Sequence, residues 1–206
     1  LEEEAHVPFA SLEGRTDGLI ALTAGGEGGL ARLLADGQVD KGHAYLDGLQ
    51  RLFPRRLYVE LSRGGDEVET AAEEALIELA YARDLPLVAT NPASFADAAF
   101  HHAHDAMLCI AQSSQIDRDD RVKSSPEAWM KPPAEMRKLF EDLPEAIDNT
   151  SVVARRCAFG APKRKPILPS IAGDIEAEAE QLRRDAHAGL IKRLQVYEFP
   201  REGGGP

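Results

Sequence analysis

Three short apolar runs, set far apart along the chain, constrain its fold more than any other feature. They are Gly18-Leu-Ile-Ala-Leu-Thr23, Leu57-Tyr-Val-Glu-Leu61 and Pro86-Leu-Val-Ala-Thr90. Each is nearly continuous in apolar character, as expected for strands buried on both faces of a parallel sheet. The segments between them are too long for hairpins and long enough for helical crossovers. From Asp66 to Arg83, Ala72, Ala75, Leu76, Leu79 and Ala80 recur at i, i+3, i+4, i+7 and i+8, the stripe of a helix packed against a sheet. Glu67, Glu69, Glu73, Glu74 and Glu78 load the first turns and the outer face of that helix, which favours its dipole. Strand, helix, strand is a βαβ unit. With the first run, the order predicts an α/β fold with helices outside a parallel sheet.

After Asn91 no further strand stands out. Helices are predicted over 97–112 and 135–140, then from Leu143-Pro144-Glu145, where proline in the first turn costs no hydrogen bond. A last helix is expected from a cap at Asp174 to about Leu194. The polar stretch 113–125 reads as an exposed loop, and the proline-rich basic run 160–169 as the one boundary. The tail 195–206 is expected to be disordered.

Composition narrows the function classes. Lys and Arg total 24 against 35 Asp and Glu, a formal charge of −11. That excludes a freestanding nucleic-acid module that works by blanketing phosphates with cations, but not a piece of a larger DNA enzyme. With 43% hydrophobic residues, the chain can build a core and is no disordered polymer. No apolar run approaches the roughly 18 residues of a membrane span, and the start Leu1-Glu-Glu-Glu-Ala-His6 has no signal-peptide pattern. Lacking an initiator Met, the chain reads as a fragment. Cys109 and Cys157 form no metal or disulfide spacing, so a reducing cytoplasm is expected.

In parallel α/β folds ligands meet the carboxyl ends of the strands, which directs attention to residues 23–29, 62–65 and 91–95. Gly25-Gly-Glu-Gly-Gly29 sits where a phosphate cradle would lie. It lacks the Gly-Lys-Ser/Thr of a P-loop and the dinucleotide spacing, so a strand-to-helix turn is the favoured reading. Glu60, inside the second strand, can face a barrel interior and hold metal or pair with an arginine. His101, His104 and Asp105 share a helix face at i, i+3 and i+4 and are the metal candidates, beside His102. No His-Glu-x-x-His motif or third-ligand pattern accompanies them, and surface or packing histidines are the favoured alternative. Arg155, Arg156, Lys163, Arg164 and Lys165 form the one basic concentration, read as a solvated connector. No catalytic triad and no paired Asp-x-Asp can be assembled.

Several strings, in order, carry a resemblance. Leu57-Tyr-Val-Glu-Leu-Ser-Arg63 and Leu79-Ala-Tyr-Ala-Arg-Asp-Leu-Pro-Leu-Val-Ala-Thr-Asn91 resemble the PHP domain of the bacterial replicative DNA polymerase III alpha-subunit family, the C-family polymerases. So do Ala103-His-Asp-Ala-Met-Leu-Cys-Ile110, Ser125-Pro-Glu-Ala-Trp-Met130, Leu139-Phe-Glu-Asp-Leu-Pro-Glu-Ala-Ile-Asp-Asn-Thr150, Ala154-Arg-Arg-Cys157 and Asp17-Gly-Leu-Ile-Ala-Leu-Thr-Ala-Gly-Gly26. The likeness covers most of residues 16–194.

The resemblance implies the later part of a distorted, TIM-like (β/α)7 PHP barrel over 1–160 and a mainly helical passage into the palm over 161–194. Family members with an intact PHP metal site carry Asp-x-His after Ala-Thr-Asn. Here Pro92 and Ser94 stand at those positions, and neither replaces a carboxylate or an imidazole as a ligand. The expectation is therefore a degenerate PHP domain with no catalytic, cofactor or metal residue of its own. It would serve as scaffold and as docking surface for a proofreading exonuclease. The parent would be a DNA-directed DNA polymerase, a nucleotidyltransferase using Mg2+, whose partners are holoenzyme subunits and primer-template DNA and not a membrane. The rival reading is a metal-dependent PHP phosphoesterase or 3'-5' exonuclease, and an error-prone paralogue of the same polymerase is a further one. A barrel missing its first strands would have an unpaired sheet edge, so the isolated piece is expected to be marginally stable.

Overall fold

The computed structural model describes residues 7–166 and 169–196. The chain divides into two compact units between Ala158 and Phe159. The first is built on a parallel three-stranded sheet in the order β1 (Ala21–Leu22), β2 (Leu57–Leu61), β3 (Leu87–Ala89). Ala21 registers with Leu57 and Leu22 with Tyr58, and Val59, Glu60 and Leu61 register with Leu87, Val88 and Ala89. Helices α1 (Gly29–Ala35) and α2 (Val39–Leu52) join β1 to β2, and α3 (Glu67–Ala82) joins β2 to β3. The α/β class with parallel strands is as the apolar runs predict.

β2 matches its predicted span and β3 comes within one residue at each end, because strands buried on both faces carry nearly unbroken apolar sequence. β1 is shorter than the run from Gly18 to Thr23. The guanidinium of Arg56 donates to the carbonyls of Thr16 and Leu19, so a side chain pins that end and ladder bonds do not. Among the described residues, β1 pairs with β2 alone.

The α3 stripe packs as its spacing requires, with Ala72, Leu76, Leu79 and Ala80 buried. Asp66 caps the helix, its Oδ1 accepting from the Glu69 N–H at 2.7 Å. Glu69 departs from the outer-face expectation. Only 2% exposed, it turns back under the β2–α3 loop instead of facing water.

The core joins Leu30 and Leu46 of α1 and α2, Val59 and Leu61 of β2, Leu76 of α3 and Leu87 of β3 to Phe140 and Ala146. Phe140 follows α5 (Pro133–Leu139) and Ala146 lies on α6 (Pro144–Arg156). Proline opens both helices, as the sequence predicts for α6. α6 lies along β3, where Asn149 Nδ2 donates to the Leu87 carbonyl at 2.8 Å. α4 (His101–Ala111) follows a 3₁₀ turn at Ala98–Phe100.

In the second unit, α7 (Ile175–Val196) begins at the expected cap, with Asp174 Oδ1 accepting from the Ala177 N–H at 2.8 Å. Its last residues, Gln195 and Val196, are helical although the tail 195–206 is expected to be disordered; 197–206 lie outside the described residues. No helix among the described residues is long and apolar enough to cross a membrane.

Phe140 is fully buried beneath the Arg63 guanidinium, 4.7 Å from its ring centre. Phe140→Ala should cost about 3–5 kcal/mol in a urea melt. Ile110→Ala, at a site 80% exposed, should stay within about 0.5 kcal/mol.

Candidate functional site

The carboxyl ends of the three strands open into a cleft of about 1110 Å³, whose walls include Glu60, Ser62, Pro92, Ser94, His104 and Ser124. It is the place where parallel α/β folds present chemistry.

The glycine run forms one wall and is a packing device. Gly25–Glu27 make a 3₁₀ turn and α1 starts at Gly29. A Cβ on Gly26 would overlap the Asp66 carboxylate, and one on Gly28 would overlap the Thr23 carbonyl. The turn brings β1 against the α3 cap, as the favoured reading of this segment holds.

Glu60 holds the strand ends together. Its Oε2 accepts from the Ala24 N–H at 3.0 Å and its Oε1 from the Thr90 hydroxyl at 2.7 Å, while its own N–H donates to Thr23 Oγ1 at 3.0 Å. Glu60 thus links β1, β2 and β3; its carboxylate faces a hydroxyl and an amide, not the arginine considered from sequence. Ala24 takes a left-handed φ of 66°, which aims its N–H at Glu60.

Glu69 accepts from both the N–H and the hydroxyl of Ser62, and from the Arg63 N–H at 3.3 Å. A buried carboxylate needs such donors. Arg63 then satisfies all five of its own N–H groups. The Nε–H and one terminal N–H reach Glu73 at 3.1 and 2.7 Å, and the others reach both oxygens of Asp142 at 2.6 and 2.7 Å and the Leu139 carbonyl at 2.6 Å. This paired geometry holds the Asp142 carboxyl below the ordinary carboxylate range. Arg63 falls in the strand-end window 62–65 that the sequence marks, without a role of its own, and Glu69 lies outside every such window. The available signal is the Asp66-x-x-Glu69 spacing of a helix start, which marks a carboxylate able to reach backwards.

His101, His104 and Asp105 do share a face of α4, and that face closes on one residue. His101 Nε2 lies 2.9 Å from the Ser124 carbonyl and His104 Nδ1 lies 2.6 Å from the Ser124 hydroxyl. Asp105 Oδ1 accepts the Ser124 N–H at 2.9 Å, and both its oxygens accept from Arg121 at 2.7 Å. The Arg121 pair, then the Ser124 N–H, holds the Asp105 carboxyl well below its usual range, and Arg121 is raised in return. The trio therefore clamps Arg121 and Ser124 onto α4. His102 is exposed.

The clamped segment runs on along the cleft. Ser125 Oγ donates to the Gly64 carbonyl at 2.7 Å, Ser94 N–H donates to the Ala128 carbonyl at 2.7 Å, and Phe95 bridges Trp129 in parallel sense. Pro92 and Ser94 thus both border the cleft, with Pro92 so close to Gly64 that any β-carbon there would have to displace it. Among the described residues, no group of three or more His, Cys, Asp and Glu is arranged to hold a metal ion.

The basic concentration divides. Arg156 braces the first unit, donating to the Tyr58 hydroxyl at 2.8 Å and the Arg55 carbonyl at 3.0 Å, and Arg155 donates to Ser151 O. Lys163, Arg164 and Lys165 are exposed in the second unit. Cys109 is buried, Cys157 is exposed, and neither is in a disulfide.

Taken together, the first unit is an α/β domain with a cleft at its strand ends, in which Glu60 and His104 bond to the chain's own groups. No protein-family model matches the chain. Curated proteins do. It is 48% identical over 193 residues to the DNA polymerase III subunit alpha of Caulobacter vibrioides, covering 93% of this chain and 17% of that protein. The same subunit of Pseudomonas aeruginosa is 36% identical over 182 residues, covering 87% of this chain and 16% of the relative. That of Escherichia coli K12 is 36% identical over 191 residues, covering 90% and 16%. The chain is a homologue of one segment of the DNA polymerase III alpha subunit and spans about 17% of the length of the first of these relatives.

Two measurements test this site. The Asp105 carboxyl titrates lower in the folded protein than its unfolded value near about 3.9, so its contribution is complete above that pH and is lost as pH falls toward the folded value. In thermal melts from neutral to acid pH, Asp105→Asn should therefore lose less stability than wild type below about pH 4. Gly28→Ala, which forces a β-carbon against Thr23, should destabilise by about 1–3 kcal/mol.

Proposed function

We propose that this chain is a segment of a bacterial replicative DNA polymerase III alpha subunit, a cytoplasmic protein. Within it, residues 1–160 are the later part of a PHP barrel and 161–194 the passage toward the palm. The segment acts as a scaffold and as a docking surface for a separate proofreading exonuclease. The parent extends primer-template DNA by nucleotidyl transfer, with Mg2+ as its metal, among the other subunits of a replicative holoenzyme.

The observation that carries this reading is the collinear identity, 48% over 93% of the chain, to a protein named as the polymerase subunit. The parallel sheet with outer helices agrees with part of a barrel. The metal-dependent activity of intact PHP domains does not suit the residues in place. Pro92 has no donor atom, and the hydroxyl of Ser94 is a poor substitute for imidazole. The groups beside them are already bonded, Glu60 to Thr90 and Ala24, and His104 to Ser124. A domain without its own hydrolytic centre leaves editing to a partner.

The test is made on the complete product of the gene. It should extend a primed template in Mg2+, and a product without DNA synthesis overturns the reading. Elemental analysis of the 206-residue chain should find only substoichiometric zinc and manganese; stoichiometric metal would favour a phosphoesterase.

A further inference from the structure

α4 has two faces of opposite character. One carries the His101, His104 and Asp105 clamp. On the other, Phe100 at the turn into the helix, then Ala103, Met107 and Ile110, recur at spacings of three, four and three residues. These side chains face solvent, Met107 at 57% and Ile110 at 80% exposure. Ile116 and Val122 add exposed apolar surface in the segment that follows. No charged residue stands among the seam positions.

The geometry points to this seam as the seat of an α-helix from the remainder of the longer polypeptide, the part that the relatives have and this chain does not cover. The inference rests on the reading above that the chain is one segment of such a polypeptide. Spacings of three and four residues are those of a surface that receives knobs from a facing helix. An apolar face of this kind on a water-soluble domain marks a contact surface. An uncharged seam is typical of permanent contacts, whose cores lose charged residues, and less so of transient ones. A second copy is disfavoured, since it would bring −11 against −11. Most of the Caulobacter relative lies outside the matched 17%, so the covering element has ample sequence to come from.

Ile110→Cys and, separately, Met107→Cys place a thiol on the seam at exposed positions where folding is not at risk. Each is made in the 206-residue chain and in the complete gene product, and maleimide labelling is read by tandem mass spectrometry that separates the new cysteine from the neighbouring buried Cys109, whose protection reports that the short chain is folded. Labelling should be fast in the 206-residue chain at every concentration and slower by about tenfold or more in the complete product with no other protein present. Equal rates in the two overturn the inference. So does slowing that appears in the short chain as concentration rises, which assigns the seam to a second copy. Slowing that appears in the complete product only when another subunit is added also overturns it and assigns the seam to a separate partner. Loss of DNA synthesis with protection intact would strike the polymerase reading and leave the seam standing.

Discussion

The buried carboxylate of Glu69 is the interaction on which the first unit depends. β2 ends in backbone groups that no neighbouring strand can satisfy, and Glu69 reaches back from the first turn of α3 to accept the Ser62 amide and hydroxyl and the Arg63 amide. With Asp66 capping the same turn, the strand end and helix start become one rigid corner. Leaving those donors unpaired inside the protein would cost more than the bonds themselves contribute, so the carboxylate sets the conformation of residues 62–66. That corner fixes Arg63, whose guanidinium then spans to Glu73, Asp142 and Leu139 over the Phe140 ring. Through one arginine, the βαβ half of the unit is joined to the end of α5 and the turn that leads into α6, nearly eighty residues away in sequence.

The cleft inherits its character from this arrangement. In and beside it, Glu60 is held by Ala24 and Thr90, His101 and His104 by Ser124, and Asp105 by Arg121. Desolvated polar groups must find partners, and here the chain supplies them from its own loops. The site holds its shape as a hydrogen-bonded wall.

What the sequence made legible follows from which physics is local. The spans of β2 and α3, the proline start of α6 and the Asp174 cap of α7 depend on apolar spacing and on chemistry within a few residues, and all can be read directly. The histidine trio was legible halfway. Helical spacing gives the shared face of His101, His104 and Asp105, but their common target, Ser124, lies about twenty residues on across an irregular segment with no periodicity to follow. Glu69 was misassigned because its neighbours on the helix are solvent-facing glutamates, and only the three-dimensional return of the β2 end distinguishes it. The glycine run shows the converse: its composition suggests a ligand cradle, while its cause is steric, the close approach of Asp66 and Thr23.

The contact between Asn149 and the Leu87 carbonyl has a consequence for how the sheet can be completed. In a parallel ladder alternate residues of β3 turn away from β2, and Leu87 is one of these; its outward acceptor is taken by a side-chain amide of α6. One acceptor at that margin is thereby occupied from within the chain. β1, whose described pairing is with β2 alone, keeps the opposite margin free of such a side-chain plug, so a further strand can align beside Ala21 and Leu22 without displacing a helix contact.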